Sequence, residues 1–127
     1  MAEKFSLQAR FKSFGYAFQG FGPLIRDQHN ARVHFVATIF VIVAASYFSV
    51  DPLSWALLVL AIAMVWMAEA MNTAVEALAD ALMPEHHPLV KVAKDVAAAG
   101  VLIAAAASVL IAFIVFYSPV MVLLKAG

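Results

Sequence analysis

The chain has 127 residues, of which 65% are hydrophobic and 13% charged, and its 8 Lys and Arg balance 8 Asp and Glu. That length allows one domain, 1–127, and a water-soluble domain would need a polar surface that this composition cannot cover; the same apolar excess excludes intrinsic disorder. With no net charge there is no basic surface for nucleic acid, and with no Cys there is no disulfide framework, thiolate metal site or cysteine nucleophile.

The remaining class is an all-α integral membrane protein. Residues 1–32 mix Lys4, Arg10, Lys12, Arg26 and Arg32 with Phe5, Phe11, Phe14, Tyr16, Phe18 and Phe21. A basic, aromatic, amphipathic stretch of this kind is expected to lie as a helix on a membrane surface. Charge recurs up to Arg32, so no uninterrupted apolar segment makes it a cleavable signal. Gly20, Gly22 and Pro23 predict a break into two pieces. The first span is 33–50, ended by Asp51-Pro52. The second helix is predicted over 53–83, apolar to Ala68 and then polar. It exceeds the hydrocarbon thickness, so its end projects beyond it. A third helix over 92–117 carries the last span. The N-terminal region holds five Lys and Arg, the first loop none, the second loop Lys91 and Lys94, and the tail Lys125. The positive-inside rule puts the N-terminus and the second loop in the cytoplasm and the C-terminus outside.

The polar half of the second helix is the most informative segment. At 100° per residue Glu69, Glu76 and Asp80 fall within about 40° of one another, flanked by Asn72 and Thr73, over about 16 Å of rise. Carboxylates near hydrocarbon cost several kcal/mol unless paired, protonated or hydrated, so such a stripe calls for cations or a function. The bland alternative is a helix end solvated and paired with Arg32, Lys91 and Lys94, and Asp80 suits it best. Oxygen ligands here suit Mg²⁺, which keeps waters and bridges phosphates. Lys94, beside Asp95, can neutralise phosphate or simply anchor the interface. His86 and His87, between Pro84 and Pro88, read as metal ligands or, by their adjacency, as a polar turn. His34 reads as an interface residue one turn into the first span. Gly15, Gly20 and Gly22 form no standard phosphate loop.

Glu69-Ala70-Met71-Asn72-Thr73-Ala74-Val75-Glu76 with Asp80 resembles the E-x-x-N-[ST]-A-[IV]-E-x-x-x-D signature of the bacterial integral-membrane diacylglycerol kinase and undecaprenol kinase family. His87-Pro88 and the segment Ala93-Lys94-Asp95 to Leu102 resemble its second block, with one Ala-Gly pair reversed. Gly15-Tyr16-Ala17-Phe18-Gln19-Gly20 and Asn30-Ala31-Arg32-Val33-His34 resemble its N-terminal motifs, the latter chiefly those of the undecaprenol kinase branch. The resemblance covers about Phe14 to Phe116. It implies ATP-dependent phosphorylation of a membrane lipid hydroxyl at the inner membrane of a bacterium, by a homotrimer of three-span subunits. It implies Glu69 as general base, Glu76 as Mg²⁺ ligand and phosphate-orienting group, and Asn72 and Asp80 as active-site polar residues. It implies Tyr16, Glu85, His86, His87, Lys94 and Asp95 as nucleotide contacts. The family's other metal ligand is usually Glu, and its position here is Gln28, with Asp27 adjacent. A neutral amide coordinates more weakly, which puts the metal set in question. The choice between diacylglycerol and undecaprenol stays open. The alternatives to a lipid kinase are a small ion or proton carrier using the same carboxylates, and an inactive structural homologue.

Overall fold

The computed structural model describes Ser6 to Ala126, with Asp27 described by its backbone alone; Lys4, Phe5 and the Asp27 side chain lie outside the described residues. These residues form four helices and no strand: α1 Leu7–Asp27, α2 His29–Tyr47, α3 Pro52–Leu82 and α4 Pro88–Ala126. A helix pairs every interior backbone group within its own segment, which suits it to hydrocarbon. The last three, of 19, 31 and 39 residues, are long and apolar enough to cross a membrane.

α1 begins at Ser6, whose Oγ accepts from the Ala9 N–H at 3.4 Å. The expected break at Gly20, Gly22 and Pro23 does not occur, and the helix continues through Pro23 to Asp27. Each exposed glycine costs only about 1 kcal/mol in a helix, and Pro23 already has a helical φ. The interruption falls instead at Gln28, extended at φ −107° and ψ 115°. Just beyond it Arg32 turns back and donates to the carbonyls of Ile25 and Arg26. It thereby caps the end of α1 with positive charge at the negative pole of the helix dipole.

The turn from α2 to α3 is a Schellman motif. The Ser49 N–H bonds to the Ser46 carbonyl and the Val50 N–H to the Ala45 carbonyl, both at 3.2 Å. Ser49 takes the left-handed conformation (φ 49°) that glycine usually supplies. Val50 packs against the cluster of Ala45, Leu58 and Val115, the hydrophobic contact this motif favours. Asp51 then caps α3, accepting from the Leu53 and Ser54 N–H groups at 2.9 and 3.1 Å, with Pro52 in the first turn. The Ser54 hydroxyl, and then the Ser54 N–H, hold the Asp51 carboxyl below its ordinary range.

α4 starts at Pro88, where His87 Nδ1 accepts from the Leu89 N–H at 3.2 Å, and runs through Pro119 to Ala126, past both ends of the expected 92–117. α3 and α4 form the closest helix pair, with Ala61 and Ala104 buried between them. The Ser108 hydroxyl bridges that seam, 2.8 Å from the Ala104 carbonyl and 3.1 Å from the Ala61 carbonyl. Buried apolar residues are few, and large side chains such as Phe40, Leu102 and Phe113 are exposed along the spans. Such surfaces are stable against lipid or other copies, not against water.

Ser49 generates a test. An L-residue in the left-handed region is strained by about 1–2 kcal/mol, which Gly escapes at some entropic cost. Ser49→Gly should therefore raise the apparent melting temperature of the detergent-solubilised protein slightly, and Ser49→Val should lower it, as followed by helical circular dichroism.

Candidate active site

Asp51 lies at one end of α3 and Glu69 eighteen residues along it. At 1.5 Å per residue these are about 27 Å apart, close to one hydrocarbon thickness. Glu69 thus sits near the far boundary of the membrane, and Asn72, Glu76 and Asp80 follow outward. Two of these side chains are buried, Glu69 at 0% exposure and Asn72 at 4%. Glu69 is met by the adjacent antiparallel helix α2, whereas Asn72 lines a cleft between α3 and α4 with Ala93, Val96 and Gly100. Residues about equidistant from the Asp51–Pro52 turn face each other, and three polar contacts result. The Trp66 indole N–H donates to Thr38 Oγ1 at 3.0 Å. His34 Nε2 lies 3.8 Å from Glu69 Oε2. The Gln28 side-chain amide donates to Glu76 Oε2 at 3.2 Å.

Gln28, Asn72 and Glu76, expected in the site on separate grounds, do meet. Glu76 accepts from Gln28 on one oxygen and from the Asn72 amide on the other, at 3.2 Å each. Because the break between α1 and α2 falls at Gln28, that residue leaves the helix geometry at the point where its side chain turns toward α3. A Glu at position 28 would bring two carboxylates together there and demand a cation. The amide removes that demand and bridges the pair directly. An amide turned over presents oxygen instead of N–H, so Glu76 with the Gln28 and Asn72 amides offers one anionic and two neutral oxygen ligands. That set fits Mg²⁺ that also takes water and phosphate oxygens. No group of three or more His, Asp or Glu side chains suited to a metal occurs among the described residues.

The stripe also contains unsatisfied atoms. Both oxygens of Glu69, Asn72 Oδ1 and Thr73 Oγ1 are buried without a hydrogen-bond partner. Four such atoms within two helical turns are unusual, because buried polar atoms are normally paired. Thr73 lines a cleft of about 330 Å³ between α1 and α3, with Gly20, Phe21 and Leu24 on its other wall.

The outer part of the stripe is different. Asp80 pairs with Lys94 of α4 at 2.5 Å, and Lys91 with Asp95 at the same distance, all on the exposed surface or close to it. Glu85 and His86 are exposed in the turn between α3 and α4. His87 caps α4 through Nδ1, which leaves its Nε2 available. Tyr16 is exposed on α1 and makes no described contact with the stripe. The described structure therefore gathers Gln28, Glu69 and Glu76 at the α2–α3 seam, with Asn72 bonded to Glu76 from the α4 side of α3. It sets Asp80, Lys94 and Asp95 at the mouth beyond it, and leaves Tyr16, Glu85 and His86 apart. The sequence reading missed His34 as a member of the site. The signal was available: His34 and Glu69 are nearly equidistant from the Asp51-Pro52 break in two consecutive apolar helices.

Residues 15–116 match the family described as prokaryotic diacylglycerol kinase, and the chain belongs to that family. Among curated relatives it is similar to a Bacillus subtilis protein named undecaprenol kinase, 33% identical over 84% of this chain and 86% of the relative. It is also similar to proteins named diacylglycerol kinase: one from Synechocystis, 35% identical over 88% of this chain and 65% of the relative, and one from Escherichia coli K12, 32% identical over 84% and 88%.

The exposed ion pairs at the mouth generate a prediction about what they do not do. Pairs of this kind contribute about 0.2–1 kcal/mol and are screened by salt. A double-mutant cycle on Asp80→Asn and Lys94→Gln should show stability coupling under about 1 kcal/mol that vanishes at high salt. A larger coupling that survives salt would make the pair a structural clasp.

Proposed function

We propose that the chain is an ATP-dependent kinase that phosphorylates the hydroxyl of a membrane lipid alcohol, diacylglycerol or undecaprenol, at the cytoplasmic boundary of a bacterial inner membrane. The observation that carries this reading is the cluster of buried, unpartnered oxygens at the depth where a lipid hydroxyl lies, continuous with a charged mouth open to water. Membership of the diacylglycerol kinase family supports it. A carrier would have no use for that mouth, and nothing in the geometry favours one.

In this reading Glu69 is the general base. A buried carboxylate with no donor on either oxygen has lone pairs free to receive a hydroxyl proton. As the proton moves to Glu69, the lipid oxygen bonds to the γ-phosphorus and the bond from that phosphorus to the ADP oxygen breaks. Phosphoryl transfer asks mainly for alignment and charge neutralisation. Glu76, held between Gln28 and Asn72, orients the phosphate end of ATP, and Gln28, Asn72 and Glu76 are the residues that would hold Mg²⁺. That ion supplies neutralisation of phosphate charge when bound. Lys94 exchanges Asp80 for phosphate at little cost, since the pair is exposed, and Asp80, Asp95, His87, Glu85, His86 and Tyr16 complete the nucleotide side. The loop charges put the N-terminus and the α3–α4 turn in the cytoplasm, with α1 on the membrane surface and the C-terminus outside. The exposed apolar flanks, and Gly100, where an added Cβ would meet nothing within 4 Å, leave room for neighbouring copies, and the family resemblance implies a homotrimer.

The test is purified protein in detergent with labelled ATP and a panel of lipid alcohols. Transfer to none of them would end the proposal. Transfer to undecaprenol above diacylglycerol is the expected order, on the N-x-R-x-H motif at Asn30 to His34. Glu69→Gln should lower turnover by about 100-fold or more while leaving nucleotide binding intact, because a general base is worth roughly 10²–10⁴ in rate. Glu76→Gln should weaken Mg²⁺-ATP binding as well. Equal, near wild-type activity in both would remove this assignment of roles. Gln28→Glu restores a negative charge beside Glu76 and should lower the Mg²⁺ concentration for half-maximal rate; Gln28→Ala should raise it. If Gln28→Ala has no effect and Asp27→Asn does, the ligand is Asp27.

A further inference from the structure

Glu69 is fully buried, and neither of its oxygens has a hydrogen-bond partner. An isolated carboxylate in such a place sheds its charge by taking up a proton, and a protonated carboxyl cannot act as a base. Something must keep it ionised. His34 of α2 lies 3.8 Å from it, and Glu76 follows two turns along its own helix. The charged side chains of α4 nearest the stripe, Lys91 and Lys94, pair with Asp95 and Asp80 instead. Glu76 carries a like charge, and His34 is the basic neighbour that the structure sets beside Glu69.

His34 is held in place by more than chance packing. Its carbonyl accepts from the Thr38 hydroxyl at 2.7 Å, and Thr38 Oγ1 accepts from the Trp66 indole at 3.0 Å. Trp66 is three residues before Glu69 on α3, and Thr38 four residues after His34 on α2. This short chain of bonds fixes the register of the two helices one turn from the point where His34 meets Glu69. The His34 side chain is 17% exposed, so it is shielded from bulk water without being sealed from it. It lines a groove of about 300 Å³ between α2, α3 and α4 whose other walls are apolar except for Thr38 and Ser108. At 3.8 Å the two groups lie within ion-pair range of each other when the imidazole carries its second proton, just beyond direct hydrogen bonding.

We propose that His34 is a positioning residue for the kinase reaction: its imidazolium, set opposite Glu69 by the Thr38–Trp66 contact, keeps Glu69 ionised and ready to take the lipid hydroxyl proton. This rests on the reading of Glu69 as base. It assigns a role to a residue for which neither composition nor the acidic stripe gave one. It also accounts for why a carboxylate with no hydrogen-bond donor is tolerated at full burial.

The experiment has two readouts on the full-length protein in detergent. The first is an infrared pH titration of the carboxylic-acid carbonyl band of Glu69, identified by its loss in Glu69→Gln. In His34→Ala the band should persist to higher pH than in wild type, by about one unit or more, the size expected for losing an opposite charge within 4–6 Å. The second is the pH dependence of turnover with saturating ATP. The acid limb of His34→Ala should move to higher pH by the same amount, so that the rate falls about tenfold or more below the limb and converges on wild type at alkaline pH. Added imidazole, which the groove can admit, should restore part of the rate. A merely structural role would lower the rate by one factor at every pH and leave the infrared titration unmoved, and that result overturns the proposal. An infrared shift without a kinetic one would retain the His34–Glu69 pair but remove Glu69 as base, and with it the catalytic role of His34. If wild type transfers phosphate to no lipid alcohol, the lipid-kinase reading fails on its own, while the infrared titration still decides whether His34 keeps Glu69 ionised. Should His34→Ala not yield a folded protein, His34→Gln, near in size and without charge, carries the same two readouts.

Discussion

The α2–α3 seam is the constraint on which the rest of the site depends. Two consecutive apolar helices joined by a tight turn must lie antiparallel, and α3 carries its polar groups on one stripe. That stripe turned outward would face hydrocarbon; turned toward α2, it meets Thr38, His34 and Gln28 in order. The register follows from the Ser49 turn at one end and the Trp66–Thr38 bond in the middle. A slip of α2 by one residue would rotate each partner by about 100° and separate all three contacts together. Packing and polar pairing therefore select the same arrangement, a consistency that narrows the alternatives open to the chain.

Charge is graded along the stripe. At the buried end Glu69 has one basic neighbour and no hydrogen bonds. In the middle Glu76 is held by two amides. At the mouth Asp80 and Asp95 pair with lysines in water. This gradient follows the solvent: a carboxylate in water tolerates a loose, exchangeable partner, whereas one at the membrane boundary needs a fixed one. It is also a division of labour suited to joining a lipid, which approaches from the membrane, to a nucleotide, which approaches from water. Because Gln28 is an amide, Glu76 is the single charged group in the middle of this gradient.

Several local features resisted sequence reading for a common reason. Pro23 and Pro119 are ordinarily helix breakers, yet both lie within helices. Each removes a single backbone bond, and a helix long enough to continue on the far side absorbs that loss. The actual break, Gln28, carries no strong breaker signal; it is extended between α1 and α2, with Arg32 folding back to close the end of α1. His87, placed among nucleotide contacts by resemblance, also has a local task as the cap of α4.

The sequence by itself determined that the chain is a bundle of apolar helices, that three of them are long enough to cross a membrane, and that one bears a carboxylate stripe with a recognisable signature. These are properties of composition and of 3.6-residue periodicity, both local along the chain. Only the tertiary structure decided which groups answer those carboxylates. The pairing of His34 with Glu69 and of Gln28 with Glu76 joins residues 35 and 48 positions apart. It is set by where α2 ends and at what angle Ser49 turns the chain, neither of which any single helix encodes.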